Sequence, residues 1–338
     1  MGRYYRLIVL LFSLLPAAVT AVTIPDLFEA EVPLENVQPE SLDNAYRTAL
    51  GMVLIKLTGD RNAPGNPELQ PLLNKAKNYR VEYKSNTEDR RLWVRFDQEN
   101  LVKDLRGLGI AVWGKERPTT LLWLVINSDT GRQILGRGGN PDYLSVIDTR
   151  SRQRGIDVTF PLLDLEDDAK IRPVDIQAGF MQPILDASSR YPVDSILSGS
   201  VESVGPDIWE GNWIGYINGE SKTWQTEGTM PDMVIEEGID DMADFLASIF
   251  IHNGVQGQSN ISLTVSGIKT VDQYASVLKY LGSLSSVTRV QVSKVAVGDV
   301  SFTLQVHGGC PALSQAITLG RRLEQLDSSD CSSYRLIP

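Results

Sequence analysis

ISLTVSGIKTVDQYASVLKYLGSLSSVTRVQVSKVAVGDVSFTLQV, residues 261–306, is the stretch from which the fold class follows. Ile261, Leu263 and Val265 alternate with polar residues, the period-two pattern of a half-buried strand. Thr270 and Gln273 stand at the spacing of a capping box, and Tyr274, Val277, Leu278 and Leu281 follow at helical intervals. Val290 and Val292, then Val295 and Val297, change phase once, which marks a bulge in a second strand. Gly298-Asp299 turns the chain into a third strand carrying Val300, Phe302, Leu304 and Val306. Pro311 opens a second helix, and Tyr334 and Leu336 supply a closing strand. The order β-α-β-β-α-β over residues 261–338 is the ferredoxin-like arrangement.

Working back from this unit, HNGVQGQSN (252–260) is polar and glycine-rich, and residues 253–260 read as a linker. Residues 118–252 read as a central α/β unit. TLLWLVI (120–126) is continuously apolar, as expected of a strand buried on both faces. Asn140 and Pro141 start a helix that Gly155 closes, and IDVTFPLLDLED reads as a strand followed by an acidic loop. Another helix lies near Phe180 to Ser189 and leads to the strand SILSGSVESV (195–204). WEGNWIGYI and ESKTWQTEG flank Asn218-Gly219, the pair best suited to a tight hairpin because both residues tolerate positive φ. The helix after Pro231 aligns Ile235, Ile239, Met242, Leu246 and Ile249.

Residues 22–117 read as an amino-terminal α+β unit. It contains a strand in LFEAEVPL (27–34), a helix from Ser41 to Thr58 capped by Gly59, and a loop at 60–67. Two strands, Arg80 to Lys84 and Leu92 to Phe96, flank a polar turn, and a helix capped by Asp97 ends at Gly109. The fold class is therefore α+β, in three small units.

MGRYYRLIVLLFSLLPAAVTA, residues 1–21, has the three parts of a secretory leader: Arg3 and Arg6, the apolar run Leu7 to Leu15, and small residues before a cleavage point after Ala21. The run is shorter than the ~20 apolar residues of a membrane span. A soluble protein delivered to the periplasm is expected, with no transmembrane anchor after cleavage. With 32 Lys and Arg against 42 Asp and Glu, the net charge of −10 repels phosphate backbones, so nucleic acid is not an expected partner. Cys310 and Cys331 lie close in an exported chain, the setting of a disulfide. A helix of ~20 Å between them leaves few residues for the return, so spacing alone leaves the bridge open.

The chain carries little that catalysis requires. Its two histidines, His252 and His307, fall in the linker and at a strand end, and nothing has the ligand spacing of a zinc site. Asp164, Glu166, Asp167 and Asp168 lack the regular spacing and glycine of a calcium loop. Glu236, Glu237, Asp240, Asp241 and Asp244 decorate the polar face of a helix. GRGGN (136–140), with Arg137, Arg150, Arg152 and Arg154 nearby, lacks the Lys-Ser/Thr pair of a phosphate loop and reads as a flexible loop before a basic helix. No GxSxG elbow occurs. No residue is assigned to catalysis, a cofactor or a metal. Trp209, Trp213 and Trp224 form the most distinctive group: exposed, they would make an interaction surface; packed, they would hold the hairpin to its helix, the commoner use of cross-strand aromatics.

The phrases AYRTALGMVLIKLTG, LWVRFDQENLVKDLRGLGIAVWGKERPTTLLWLVI, RGIDVTFPLLDLED, VDSILSGSVESV, EEGIDDMADFLA and VSGIKTVDQYASVLKYLGSLSSVTRVQVSKV resemble a proteobacterial domain-of-unknown-function family, number 2066. The resemblance implies an exported protein of the Gram-negative envelope and supplies no catalytic residues; the cysteine pair lies outside it. The central unit is also similar in architecture to small α/β domains of periplasmic assembly proteins, such as the amino-terminal domain of the Tol-system propeller protein. The function expected is a non-enzymatic binding or assembly factor whose partner is another envelope protein. The rival expectations are a carboxylate-dependent hydrolase of cell-wall or glycan substrates, needing two acids about 5–9.5 Å apart, and a small-ligand carrier, needing an apolar pocket of at least ~300 Å³.

Overall fold

A computed structural model describes residues 26–86, 88–128, 131–251, 257–327 and 330–337. The expected leader, residues 1–21, and His252 lie outside the described residues. The architecture is mixed α+β, with eleven α-helices and three sheets among the described residues. No helix among the described residues is long and apolar enough to cross a membrane.

The first sheet has the order β1-β3-β2. Strand β1 (Glu29–Pro33) turns Ala30 and Val32 inward. Helix α1 (Pro39–Thr58) begins two residues earlier than expected because Pro39 can occupy its first turn, and it ends at Gly59 with φ +67°. The stretch expected as a loop holds 3₁₀ turns at Ala63–Gly65 and Pro67–Leu69, then short helices α2 (Gln70–Leu73) and α3 (Ala76–Tyr79). Strands β2 (Arg80–Asn86) and β3 (Arg91–Phe96) follow, then α4 (Gln98–Gly107), whose cap Asp97 accepts from the Asn100 amide at 3.1 Å. Leu50, Leu54, Leu57, Leu92, Val94 and Leu101 close this core.

The central sheet is built around β4 (Thr119–Ser128). Leu122, Leu124 and Ile126 enter one core and Leu121, Trp123 and Val125 another, which is why the run is apolar without alternation. Strand β5 (Gly131–Leu135) pairs with the end of β4, α5 (Pro141–Arg154) is capped by Asn140 and closed by Gly155, and β6 (Asp157–Thr159) pairs with the start of β4. The acidic stretch expected as a loop is instead helix α6 (Leu165–Lys170). The Asp164 carboxylate caps it by accepting from the amides of Glu166 and Asp167, and acids in a first helical turn suit the helix dipole. Helices α7 (Pro173–Gln177) and α8 (Met181–Ser188) precede β7 (Ser195–Gly205), which runs parallel to β4. Strands β8 (Ile208–Ile217) and β9 (Glu220–Gly228) meet at Asn218 (φ 51°) and Gly219 (φ 85°), the two-residue hairpin expected. Helix α9 (Pro231–Ile251) lays Ile235, Ile239, Met242 and Leu246 against the sheet.

The third sheet has the order β11-β12-β10-β14-β13. Strand β10 starts at Gln258 and ends at Ile268, so residues 258–260, expected in the linker, already pair with β12. Helix α10 (Val271–Ser283) has the reciprocal capping box of Thr270 and Gln273. In β11 (Val287–Ala296) the register shifts between Val292 and Lys294, the expected bulge. Ala296 pairs with Asp299, so the turn into β12 (Gly298–His307) is made by Val297 and Gly298, one residue earlier than expected. Helix α11 (Gly309–Gly320) is followed by β13 (Leu323–Gln325) and β14 (Ser333–Leu336). The order is thus β-α-β-β-α-β-β, one strand longer than the six-element order expected, and β14 lies parallel to β10.

That extra strand decides the cysteines. Cys310 and Cys331 are joined, with Cα atoms 5.7 Å apart. After α11 the chain turns back as β13, which packs against that helix, and an extended chain covers roughly 3.3 Å per residue. This length recovers the rise of the helix, so the return path that looked too short is sufficient.

Candidate functional site

The three sheets meet at the segment Trp113–Arg117, which leaves the first sheet after Gly109 (φ +74°) and enters the central one at Thr119. The Trp113 amide donates to the Leu57 carbonyl at 2.7 Å. Its buried indole stacks on Phe250 of α9, with ring centroids 6.0 Å apart, and so belongs to the central core although the sequence places it in the first unit. The Arg117 guanidinium lies 3.6 Å from the same ring centroid. Arg117 donates to the carbonyls of Gly114, Lys56 and Trp113 at 2.6, 2.8 and 3.0 Å, and complete burial holds its pKa well below the usual value. Lys56, also buried, donates Nζ to the carbonyls of Asp26 and Glu29 at 2.9 and 2.8 Å, and burial lowers its pKa to about 8.

Ser285, at the end of α10, is held from three sides. Its amide donates to Glu116 Oε1 at 3.2 Å, its hydroxyl accepts from the Lys115 amide at 2.9 Å, and its carbonyl accepts from Arg106 Nη2 at 3.1 Å. Gly114 permits the approach, since a Cβ there would fall 2.5 Å from that of Ser285. Two more braces join the sheets. Arg154 donates to Asp240 Oδ1 at 3.1 Å, to Asp244 Oδ1 at 2.5 Å and to the Gly59 carbonyl at 2.8 Å. Arg61 reaches Asp241 and Asp244, and Arg150 also pairs with Asp240. Arg321, at the end of α11, pairs with Asp194 at 2.7 Å while Asp194 accepts from the Thr119 amide at 2.9 Å.

Between these braces lies a cleft of about 1060 Å³, walled by Phe28, Val81, Val102, Lys103, Arg106, Trp113, Lys115, Leu284 and Val287 among others. Arg106, Trp113 and His307 also line a smaller chamber of about 90 Å³ that reaches Glu116, Ser286 and Phe250. Trp113 Nε1 and Ser286 Oγ are buried there without a partner. Burial lowers the pKa of Arg106, and burial followed by the charge of Arg106 holds His307 below its usual value. Such a site can bind: it combines an apolar wall with donors whose capacity is unused. No group of three or more His, Cys, Asp or Glu side chains among the described residues is arranged to hold a metal ion.

The residues singled out from the sequence lie elsewhere, apart from His307. Trp213 pairs with Trp224 across the hairpin, as its spacing implies, but Trp213 is 1 % exposed and donates Nε1 to Thr226 Oγ1 at 2.9 Å. Its indole lies between Gly199 of β7 and Gly238 of α9, at each of which a Cβ would come within 2.3 Å of it. Trp209 and Trp224 are half-buried against the same core. The three do not form an exposed surface, because α9 covers the face they share. Asp240, expected on a polar helix face, is buried by its arginines. Asp164 pairs with Arg190 at 2.6 Å, which with two backbone amides keeps its carboxyl well below the usual range. Buried Asp167 accepts from the Tyr191 hydroxyl at 2.5 Å and the Leu163 amide at 2.9 Å.

Sequence reasoning missed Lys56, Arg106, Arg117 and Ser285. One signal was available: Lys56 sits among Val53, Leu54 and Leu57 on the buried stripe of α1, where a cation needs a specific partner.

Residues 21–114 match the family model of a domain of unknown function, DUF8605. The match spans the first sheet with α1 and α4, and it ends at Gly114, the residue that touches Ser285. No curated protein matches the chain.

Proposed function

We propose that this protein is an exported, non-enzymatic binding or assembly factor of the Gram-negative envelope, related to the proteobacterial domain-of-unknown-function family 2066, and that it receives its partner in the junction cleft. The observation that carries this reading is the composition of that cleft. Lys103, Arg106 and Lys115 line it without a carboxylate partner among the described residues, in a chain of net charge −10, beside an apolar wall. Its own carboxylates, Asp97 and Glu99, stand two residues apart at the start of one helix, and Asp97 is engaged by Asn100. This is a poor layout for a hydrolase, which needs acids facing across a bond. In the acidic clusters elsewhere, Asp164, Asp167, Asp240, Asp241 and Asp244 are engaged by Arg61, Arg150, Arg154 and Arg190.

The test is crosslinking in intact cells with formaldehyde, followed by purification of the chain and sequencing of its first residues. The reading expects a chain beginning at Val22 with one envelope protein attached. A cytosolic chain that keeps residues 1–21, or a periplasmic chain with no attached protein, overturns it.

The carrier reading draws on the same cavity, whose volume exceeds the ~300 Å³ that a small ligand needs. Native mass spectrometry of protein purified from cells separates the two: a retained small molecule favours the carrier.

A further inference from the structure

We infer that the junction cleft takes an extended peptide segment of the partner and anchors a carboxylate of that segment on Arg106, an inference that rests on the binding function proposed above. Size admits a peptide. At about 1060 Å³ the cleft stands at the upper end of the roughly 300–1,000 Å³ usual for small-molecule sites and has room for a short extended segment. Its walls also present main chain. Val81 is the unpaired residue of a bulge in β2, an edge strand of its sheet, and is 62 % exposed. Gly107 and Gly282 line the cleft without side chains that would keep a second backbone away. An extended peptide is recognised through such main-chain groups, with its side chains alternating between wall and solvent. Phe28, Val102, Leu284 and Val287 supply the apolar side.

Charge argues for the carboxylate. Arg106 is half-buried, its guanidinium donates to the Ser285 carbonyl, and among the described residues no carboxylate pairs with it. Stripping water from a cation without pairing it is costly, and a planar guanidinium accepts a carboxylate through two parallel bonds. Lys103 and Lys115, likewise without an ion pair among the described residues, flank the same opening. The carboxylate can be a chain terminus or an acidic side chain, since both present the same two oxygens.

The experiment passes a degenerate hexapeptide library over immobilised full-length mature protein, once as free acids and once as carboxamides, and identifies retained peptides by mass spectrometry. The unaltered protein is expected to retain peptides with apolar residues at alternate positions and a carboxylate. Retention confined to the free-acid library assigns the chain terminus; enrichment of Asp or Glu in both libraries assigns the side chain. R106Q is expected to lose retention at least tenfold and K103Q severalfold, with unfolding transitions checked in parallel. Because Arg106 also braces Ser285, K103Q keeps the test valid if R106Q fails to fold. Equal retention by K103Q and the unaltered protein, or enrichment of peptides without a carboxylate, overturns the inference. An empty library result alongside a crosslinked envelope partner in cells overturns this inference alone and leaves the proposed function standing.

Discussion

Arg154 on α5 donates Nη1 to Asp240 Oδ1 on α9 at 3.1 Å, with the two side chains only 3 % and 5 % exposed. The same carboxylate takes Arg150, and Arg61 brings the loop after α1 to its neighbours Asp241 and Asp244. A pair so buried does not by itself mark stability, because desolvation offsets the attraction, but removing one partner strands the other charge. The network therefore fixes how the first sheet sits on the central one more than it adds to either.

Asp240→Asn is accordingly expected to destabilise the protein by roughly 1.5–3 kcal/mol, the loss of the charge-assisted bonds from Arg150 and Arg154, with Asp244 still pairing Arg154. Urea unfolding followed by circular dichroism measures it. Asp241→Asn, at a half-exposed site on the same helix, should cost about 1 kcal/mol or less.

The indole of Trp213 occupies the space that Cβ atoms on Gly199 and Gly238 would need. Gly199→Ala and Gly238→Ala should each lower stability by roughly 1–3 kcal/mol through overpacking. Gly238→Ala combined with Trp213→Leu should lose less than the two single changes summed. Thermal unfolding of the four proteins gives the coupling.

Much of this architecture was legible beforehand. Asn218-Gly219, the capping box at Thr270 and Gln273, the Val290–Val297 phase change and the apolar run at 120–126 each name a local geometry that few other sequences adopt, and each is present. The misses have a common cause. The helix at 165–170 depends on one cap, the strand at 323–325 is three residues long, and the start of β10 is polar, so none carries a periodic signal. The site was least legible of all. Arg106 and Trp113 lie far in sequence from Ser285 and His307, and what makes them a site is their meeting, which no local pattern records.

Lys56 supplies a pH dependence with a definite sign. Burial lowers its pKa from 10.5 to about 8, so between those values the unfolded chain holds more protons than the folded one. Stability must then rise with pH across that interval and gain nothing from this group below pH 8. The full gain is at most roughly 3 kcal/mol. Urea midpoints for the unaltered protein and Lys56→Met, compared from pH 7.5 to 10.5, should converge on this pattern in the first and lack this contribution in the second. Equal slopes in the two would contradict it.

The Cys310–Cys331 bond closes a short loop that ties α11 to β14, and such a constraint contributes roughly 3 kcal/mol. Replacing both cysteines by serine should lower the midpoint of unfolding of the third sheet, read by hydrogen exchange over residues 313–336, and leave residues 45–105 unchanged. Uniform loss across the chain would show that the third sheet does not respond alone.

On the function proposed above, the partner docks where the three sheets meet. Photo-crosslinking in living cells tests it most directly, with the reactive side chain placed in turn at position 81 or 103 in the cleft and at exposed position 324 on β13. The account predicts one discrete adduct from 81 and 103, recovered in the periplasmic fraction, and none from 324. Adducts from 324 alone, or equally from all three positions, would contradict it.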